Sequence, residues 1–316
     1  MRVLLAGATG TIGRAVALEL IRRGHSVVCP IRAGSSLELE EAMTLDCQLT
    51  ETGSLTRALA GQRPDTVISC MASRTGAVSD AWRVEHDAQL NLLNEAASAG
   101  AKHFILLSAI CVQKPELAFQ KAKAQFEQRL MQSGLDWSIV RPTAFFKSLS
   151  GQVNRVKAGR PYYVFGDGQQ TACKPISDRD LATFIVLCMT DTQKRNTLLP
   201  IGGPGPAITP LDQAHHLFKI LGQKQRVRHI PYAVMDSVIA ALALMGRVNA
   251  KMRDKAEFAR TGRYYATESM LLYDEQSGHY DAAATPEFGS DSLWDHYADL
   301  VKGRANADLG DHAFYG

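Results

Sequence analysis

The first 142 residues alternate short apolar runs with stretches whose apolar positions recur every three or four residues. "RVLLAG" (2–7) is an apolar run closed by glycine. "TIGRAVALELIRRG" (11–24) follows, with Ile12, Val16, Leu20 and Ile21 at helical spacing and Gly24 as a stop. "SVVCPI" (26–31), "DTVISC" (65–70), "HFILLS" (103–108) and "DWSIVR" (136–141) predict further strands. A third strand is expected to end near Asp46, after Met43 and Leu45, and helices are expected near 54–60, 80–99 and 116–132. Such alternation implies parallel strands joined by right-handed crossovers, an α/β, doubly wound parallel sheet.

Beyond residue 142 the pattern loosens. "GDG" (166–168) is a turn, and "ISDRDLATFIVLCM" (176–189) predicts a short strand, a helix start at Asp178 and an apolar helix. "GGPGPAITP" (202–210) is the clearest loop, after which Thr209 caps a helix with Pro210 in its first turn and Asp212 near its positive end. The expected division is a sheet domain over 1–200 and a smaller, less regular substrate lobe over 201–316, with 143–173 as a candidate contribution to that lobe. Residues 230–247 predict a helix started by Pro231, with Val234, Val238, Leu242 and Met245 on one side and Met235 and Ile239 beside them. Asp236, Ala240 and Arg247 fall near the opposite side. The segment is too short and too interrupted to span a bilayer, and two readings stand: a core helix of the second lobe, or a lid that shields a substrate or touches a membrane surface.

Composition narrows the class. At 316 residues, 46% hydrophobic and 21% charged, the chain has material for one large domain or two. A net charge of +3, without a basic run interleaved with aromatics, excludes a nucleic-acid partner. No run is apolar enough for a transmembrane span, and the N-terminus lacks a signal-peptide layout. The six cysteines, among them Cys29 in "SVVCPI", have no metal or iron–sulfur spacing, and the histidines none in combination with acids. No metal site is assigned, and buried, reduced thiols in a cytoplasmic compartment are expected.

"GATGTIG" places Gly7, Gly10 and Gly13 between the first strand and the first helix. That context allows a tight turn, close backbone approach to a pyrophosphate, and a helix N-terminus aimed at its charge. A NAD(P)-binding Rossmann fold is therefore expected. After the second strand, "CPIRAGSS" carries no acid for a ribose 2′-hydroxyl before Glu38, while Arg32, with Ser35 and Ser36 after it, suits a 2′-phosphate. The cofactor expected is NADPH. Asp46 is a candidate for the adenine, or a simple turn residue.

The segments "GATGTIG", "SCMASRTG", "LLSAICVQKPELAFQKAK", "SIVRPTAFFKSLSGQV", "GDGQQTACKPIS", "LPIGGPGPAITPLDQ" and "GRYYATESM" together resemble the NADPH-dependent 8-vinyl reductases of chlorophyll and bacteriochlorophyll synthesis, atypical short-chain dehydrogenases. The resemblance runs from about residue 2 to about residue 290. It implies reduction of the 8-vinyl group of a divinyl (proto)chlorophyllide, a tetrapyrrole, to ethyl. It also implies roles for particular residues. Gly7, Thr9, Gly10, Thr11, Ile12 and Gly13 match the pyrophosphate loop, and Arg32 the 2′-phosphate reader. Cys70, Met71, Ala72 and Ser73 fall where the fourth strand meets the nicotinamide ribose. Ser108 takes the usual serine position and Lys123 the usual lysine, while Pro142 and Thr143 stand beside the carboxamide. A chain that opens directly on its first strand is the form expected of a bacterial-type protein, cytoplasmic or peripheral to a photosynthetic membrane. No oligomeric state is assigned.

Phe119 stands four residues before Lys123, where carbonyl-reducing relatives place a proton-donating tyrosine. A vinyl group makes no alkoxide, so its reduction does not need that hydroxyl as hydride arrives. Charge left by hydride spreads over the macrocycle, and a proton follows from another donor or from water. Lys123 is then expected to position the cofactor, with a solvated helix charge as the bland alternative. Phe119, Phe145 and Phe146 are candidate substrate contacts, core packing being the alternative for the last two. Tyr264 and Tyr265 are candidate proton donors, with an interface or core pair as the alternative. Two other functions compete: a non-catalytic NADP(H)-binding sensor or assembly factor, and a reductase of another conjugated C=C substrate.

Overall fold

The computed structural model describes residues 1–73 and 77–305; the last three residues of "SCMASRTG" lie outside them. In chain order the elements are β1 (Arg2–Ala6), α1 (Thr11–Arg22), β2 (Ser26–Ile31), β3 (Ala42–Asp46), α2 (Ser54–Leu59) and β4 (Thr66–Ser69). Next, α3 (Val78–Trp82) runs through a π-helical turn (Arg83–Asp87) into α4 (Ala88–Ser98), followed by β5 (His103–Leu107), α5 (Ala118–Met131) and β6 (Asp136–Pro142). Residues 143–177 supply α6 (Phe146–Leu149), α7 (Val153–Lys157) and β7 (Tyr162–Phe165), before α8 (Asp178–Leu187) and β8 (Thr197–Ile201). The remainder holds α9 (Pro210–Ile220), β9 (Val227–Ile230), α10 (Tyr232–Met245), α11 (Ala250–Thr267), β10 (Leu272–Asp274), β11 (His279–Asp281) and α12 (Leu293–Val301).

Seven strands form one sheet in the order β3-β2-β1-β4-β5-β6-β8, and β1 to β6 pair in parallel. Strands covered on both faces must bury nearly every residue, and β1, β4 and β5 do so at every position but Arg2. The order reverses between β1 and β4, and ligands of doubly wound sheets bind beyond the strand ends at such a point. The single helix expected over 80–99 is interrupted by the π-turn, and the short strand expected near 176 is reduced to one bridge between Phe145 and Ile176.

The chain divides into two compact units, the first built from 1–73, 78–142 and 178–200, the second from 143–177 and the residues from 201 on. The first packs Leu4, Val28, Leu55, Val67, Leu92, Phe104, Phe126 and Ile139 into one core, and α8 lies against α1. In the second, Phe146, Val156, Tyr162, Leu217, Phe218 and Tyr297 form another. Thr209 caps α9 as its sequence predicts, accepting a hydrogen bond from the Asp212 N–H at 3.2 Å while Asp212 accepts from the Thr209 N–H at 2.9 Å. Cys29, Cys47, Cys111, Cys173 and Cys188 are buried free thiols. Desolvation pushes Cys29, Cys173 and Cys188 up to about 12, so they stay protonated and unreactive.

Helix α10 corrects the core-helix reading of 230–247. None of its residues is buried, and Val234, Val238, Leu244 and Met245 are 51, 49, 62 and 46% exposed. Only one side, including Met235, Ile239 and Leu242, is half-covered, and α10 packs chiefly on α11. Periodicity grouped Leu242 with Val234, Val238 and Met245, but Leu242 lies on the half-covered side with Met235 and Ile239, and periodicity could not show that the exposed side lacks a partner.

Candidate functional site

The glycine loop shows two kinds of glycine. Gly7 has φ +81°, and a Cβ there would lie 2.6 Å from the backbone carbonyl of Cys70. A Cβ on Gly13 would lie 2.0 Å from the Gly7 carbonyl oxygen. Both are forced by packing, one against the end of β4 and one within the loop. Gly10 is different. Its Cβ would meet the Gly7 oxygen at 3.4 Å, ordinary contact, so the protein's own packing does not demand a glycine there. Gly10, Thr9 and Thr11 are exposed, Ile12 is half-buried, and α1 starts at Thr11 without a side-chain cap. The first turn of any helix leaves N–H groups without intrahelical acceptors, and here they stand beside the exposed Thr9, Gly10 and Thr11. The loop thus fits a dinucleotide.

Arg32 is the first residue past β2 and is exposed. The Ser35 N–H donates to the Arg32 carbonyl at 2.9 Å, closing a tight turn. Asp46, also exposed, ends β3 directly opposite Ile31. A guanidinium, a hydroxyl and a carboxylate therefore gather at two neighbouring strand ends. Arg32 can fork a phosphate there, whereas Asp46 can only accept hydrogen bonds.

Beyond β4, Cys70, Met71 and Ser73 are half-buried and Ala72 is exposed. Desolvation raises the Cys70 thiol to about 12, against the pull of the Lys123 charge, so it supplies no thiolate. Lys123 projects from α5 as a buried side chain, with its ammonium 2.7 Å from the Glu85 carboxylate. Glu85 also accepts from the Ser73 N–H at 2.8 Å and the Ser73 hydroxyl at 2.9 Å. Phe119 is half-buried one turn before Lys123, and Glu127 buried one turn after it, so one stripe of α5 carries all three. Lys121 faces outward, as its neighbours' register requires.

Ser108 stands just past β5, and its hydroxyl donates to Glu127 at 2.5 Å. Arg141, on β6, pairs with the same carboxylate, and Pro142 follows it, buried. In the second unit Thr143 is buried, its hydroxyl donating to the Lys174 carbonyl and its N–H to the Ile201 carbonyl at 2.9 Å. Phe146 belongs to the second core, 5% exposed, so its ring is spent on packing and not on a ligand. Phe145 stays half-buried. Tyr264 and Tyr265 meet edge to face on α11, with ring centroids 5.8 Å apart; Tyr264 is 4% exposed and Tyr265 41%.

Residues 7–192 match a family model described as NAD(P)H-binding. The divinyl chlorophyllide a 8-vinyl-reductase of Arabidopsis thaliana is 45% identical over 99% of this chain and 80% of its own length. The enzyme of the same name from Oryza sativa subsp. indica is 46% identical over 99% and 82%. The chain belongs to the divinyl chlorophyllide a 8-vinyl-reductase family. Among solved structures, the NADPH-dependent quinone oxidoreductase QOR2 of Escherichia coli, complexed with NADPH, shares the fold with a TM-score of 0.67 at 17% identity, over 97% of this chain and all of that one.

For this 8-vinyl-reductase family member, three polar residues escaped the sequence reading: Glu85, Glu127 and Arg141. Each had a signal. Glu85 interrupts the apolar helical series Ala81, Ala88, Leu92, Ala96, and an acid on a buried stripe needs a partner. Glu127 is in register with Phe119 and Lys123, and Arg141 precedes Pro142 in a strand whose neighbours are apolar.

Proposed function

We propose that this chain reduces the 8-vinyl group of 3,8-divinyl (proto)chlorophyllide a to ethyl with NADPH. Its near full-length likeness to the plant 8-vinyl reductases carries this reading. The bound nicotinamide supplies a hydride. The chain's own residues do the rest. Gly7, Thr9, Gly10, Thr11, Ile12 and Gly13 hold the pyrophosphate, and Arg32 with Ser35 the 2′-phosphate, with Asp46 beside the adenosine. Cys70 to Ser73, Ser108, Pro142 and Thr143 line the nicotinamide end, and Lys123 fixes the ribose hydroxyls. Phe119 and Phe145 offer apolar contact to a flat pigment. Of the two tyrosines, Tyr265 is exposed and is the preferred candidate to pass a proton, while Tyr264 is buried against it edge to face. The test is purified protein with NADPH and divinyl chlorophyllide, followed by absorbance and chromatography. Monovinyl product should form stoichiometrically with NADPH consumed, without ferredoxin or flavin. Tight NADPH binding without turnover would identify a sensor instead.

Peripheral membrane contact through α10 is part of the same proposal. No helix among the described residues is long and apolar enough to cross a membrane. Yet α10 exposes Val234, Val238, Leu244 and Met245, and Val248 beyond it is 93% exposed. Arg247, Lys251, Arg253 and Lys255 follow, all exposed, with Asp254 the single acid among residues 247–256. An apolar face rimmed by cations suits an anionic bilayer surface. Val238→Glu should reduce co-sedimentation with vesicles containing anionic lipid. Unchanged sedimentation would remove the membrane from the proposal.

A further inference from the structure

Glu85 occupies a π-helical turn, a rare local geometry that proteins keep mostly at functional positions. Its carboxylate is 2% exposed and reaches two separate elements. One is α5, through Lys123 at 2.7 Å. The other is the segment past β4, through the N–H and hydroxyl of Ser73. One turn later on the same helical face, buried Gln89 accepts from the Ser69 hydroxyl at 2.8 Å. The π-turn and the start of α4 therefore clamp the end of β4 at two points, and Glu85 alone extends the clamp to the lysine.

The charges decide what Lys123 can do. Where a tyrosine stands one turn before the lysine, an unbalanced ammonium favours the phenolate. Phe119 has no proton to release, and a buried, unpaired ammonium would be costly. Glu85 cancels that charge in place and holds it fixed. It leaves the ammonium's other N–H groups to donate in one direction.

We propose that Glu85 is a positioning residue: it neutralises Lys123 and ties it to Ser73, just past β4, so that the lysine acts as a fixed hydrogen-bond donor to the cofactor and not as a mobile cation. This rests on the reading of Lys123 as a cofactor-binding residue. Its test uses NADPH affinity, which needs no pigment, so it can fail or hold independently of the reductase reading.

Fluorescence titration of NADPH would be run on the full chain and on Glu85→Gln, Lys123→Met and the double variant, each with its thermal midpoint. Glu85→Gln keeps an acceptor for Ser73 and removes the countercharge. Each single variant should weaken NADPH binding about tenfold, the size of one lost charge-assisted contact. The double variant should be within about twofold of either single, because both act through one bond. Independent losses that multiply, or a lowered thermal midpoint with unchanged affinity, would overturn the proposal. Should Glu85→Gln not fold, Glu85→Asp keeps the charge and shortens its reach. It should weaken NADPH binding measurably, and wild-type affinity there would overturn the proposal equally.

Discussion

Helices α5 and α10 each have 14 residues and invert each other's logic. α5 is rich in Lys, Gln, Glu and Arg, yet it buries Gln120, Lys123 and Glu127 alongside Ala122, Phe126 and Leu130. α10 is apolar apart from Asp236, Ser237 and the Tyr232 hydroxyl, yet buries nothing. The buried polar side chains of α5 each meet at least one partner, although the Gln120 Nε2 amide is buried without one. Gln120 accepts from the Glu116 and Leu117 N–H groups, Lys123 meets Glu85, and Glu127 receives Ser108 and Arg141. Buried ion pairs add little net stability over apolar packing, so an arrangement of this kind is best understood as fixing geometry. Exposed apolar surface on α10 also has no folding rationale, which is why a membrane contact is proposed for it. Departures from inside-apolar, outside-polar thus coincide with the two places where function is proposed.

Breaking the paired interior of α5 should have the largest effect. Glu127→Ala leaves the Arg141 guanidinium and the Ser108 hydroxyl without their acceptor. A loss of about 3–5 kcal/mol in chemical denaturation is expected. A loss below about 1 kcal/mol would show the cluster to be incidental.

The same rule extends to His103 in β5. It is 3% exposed, and its Nε2 lies 2.9 Å from the Ser138 hydroxyl, which itself donates to the Lys194 carbonyl at 2.7 Å. Nε2 therefore carries the hydrogen and the ring is neutral. Burial, reinforced by the Arg195 charge, lowers His103 from 6.5 to about 4. Between those values the unfolded chain binds a proton that the folded chain does not, so stability falls as pH drops through that window. Denaturation at pH 7 and 4.5 should show His103→Gln losing less than the unmodified chain, by at most roughly 3 kcal/mol. Equal losses would contradict the assignment.

Arg32 is exposed, and so it should act on the ligand alone. Arg32→Ala should erase most of the preference for NADPH over NADH, about 10- to 150-fold for one charge-assisted contact of roughly 1.5–3 kcal/mol. Equal efficiency with both cofactors in the unmodified chain would refute the 2′-phosphate role. Phe119→Tyr should change vinyl reduction little. A gain above about tenfold, ~1.4 kcal/mol of barrier, would mean that a phenolic proton had been limiting. Smallest of all is the effect of Val238→Glu on folding. On an exposed face it should stay within about 0.5 kcal/mol, and a fall of several degrees in thermal midpoint would return α10 to the core.

The sheet, the glycine loop and the register of Phe119 with Lys123 were legible because they rest on local signals: apolar runs, turn residues and helical spacing. The clamp was not. Glu85 and Lys123 are distant in sequence, as are Glu127 and Arg141, and pairing across such distances leaves only the hint of a charge on an apolar stripe. Phe145 and Phe146 show the same limit. Adjacent aromatics in a loop carry no mark of which one packs inward. For α10 the pattern identified the face, but its coverage depends on what the rest of the chain places beside it.

Hydride should pass from the nicotinamide to the vinyl group without a phenolic proton donor at position 119. NADPH carrying deuterium at both C4 positions, incubated with the protein and divinyl chlorophyllide, tests it most directly by mass spectrometry. One deuterium is expected in the new ethyl group from labelled NADPH, and one from solvent when unlabelled NADPH is used in D2O. An ethyl group without deuterium from NADPH would contradict it.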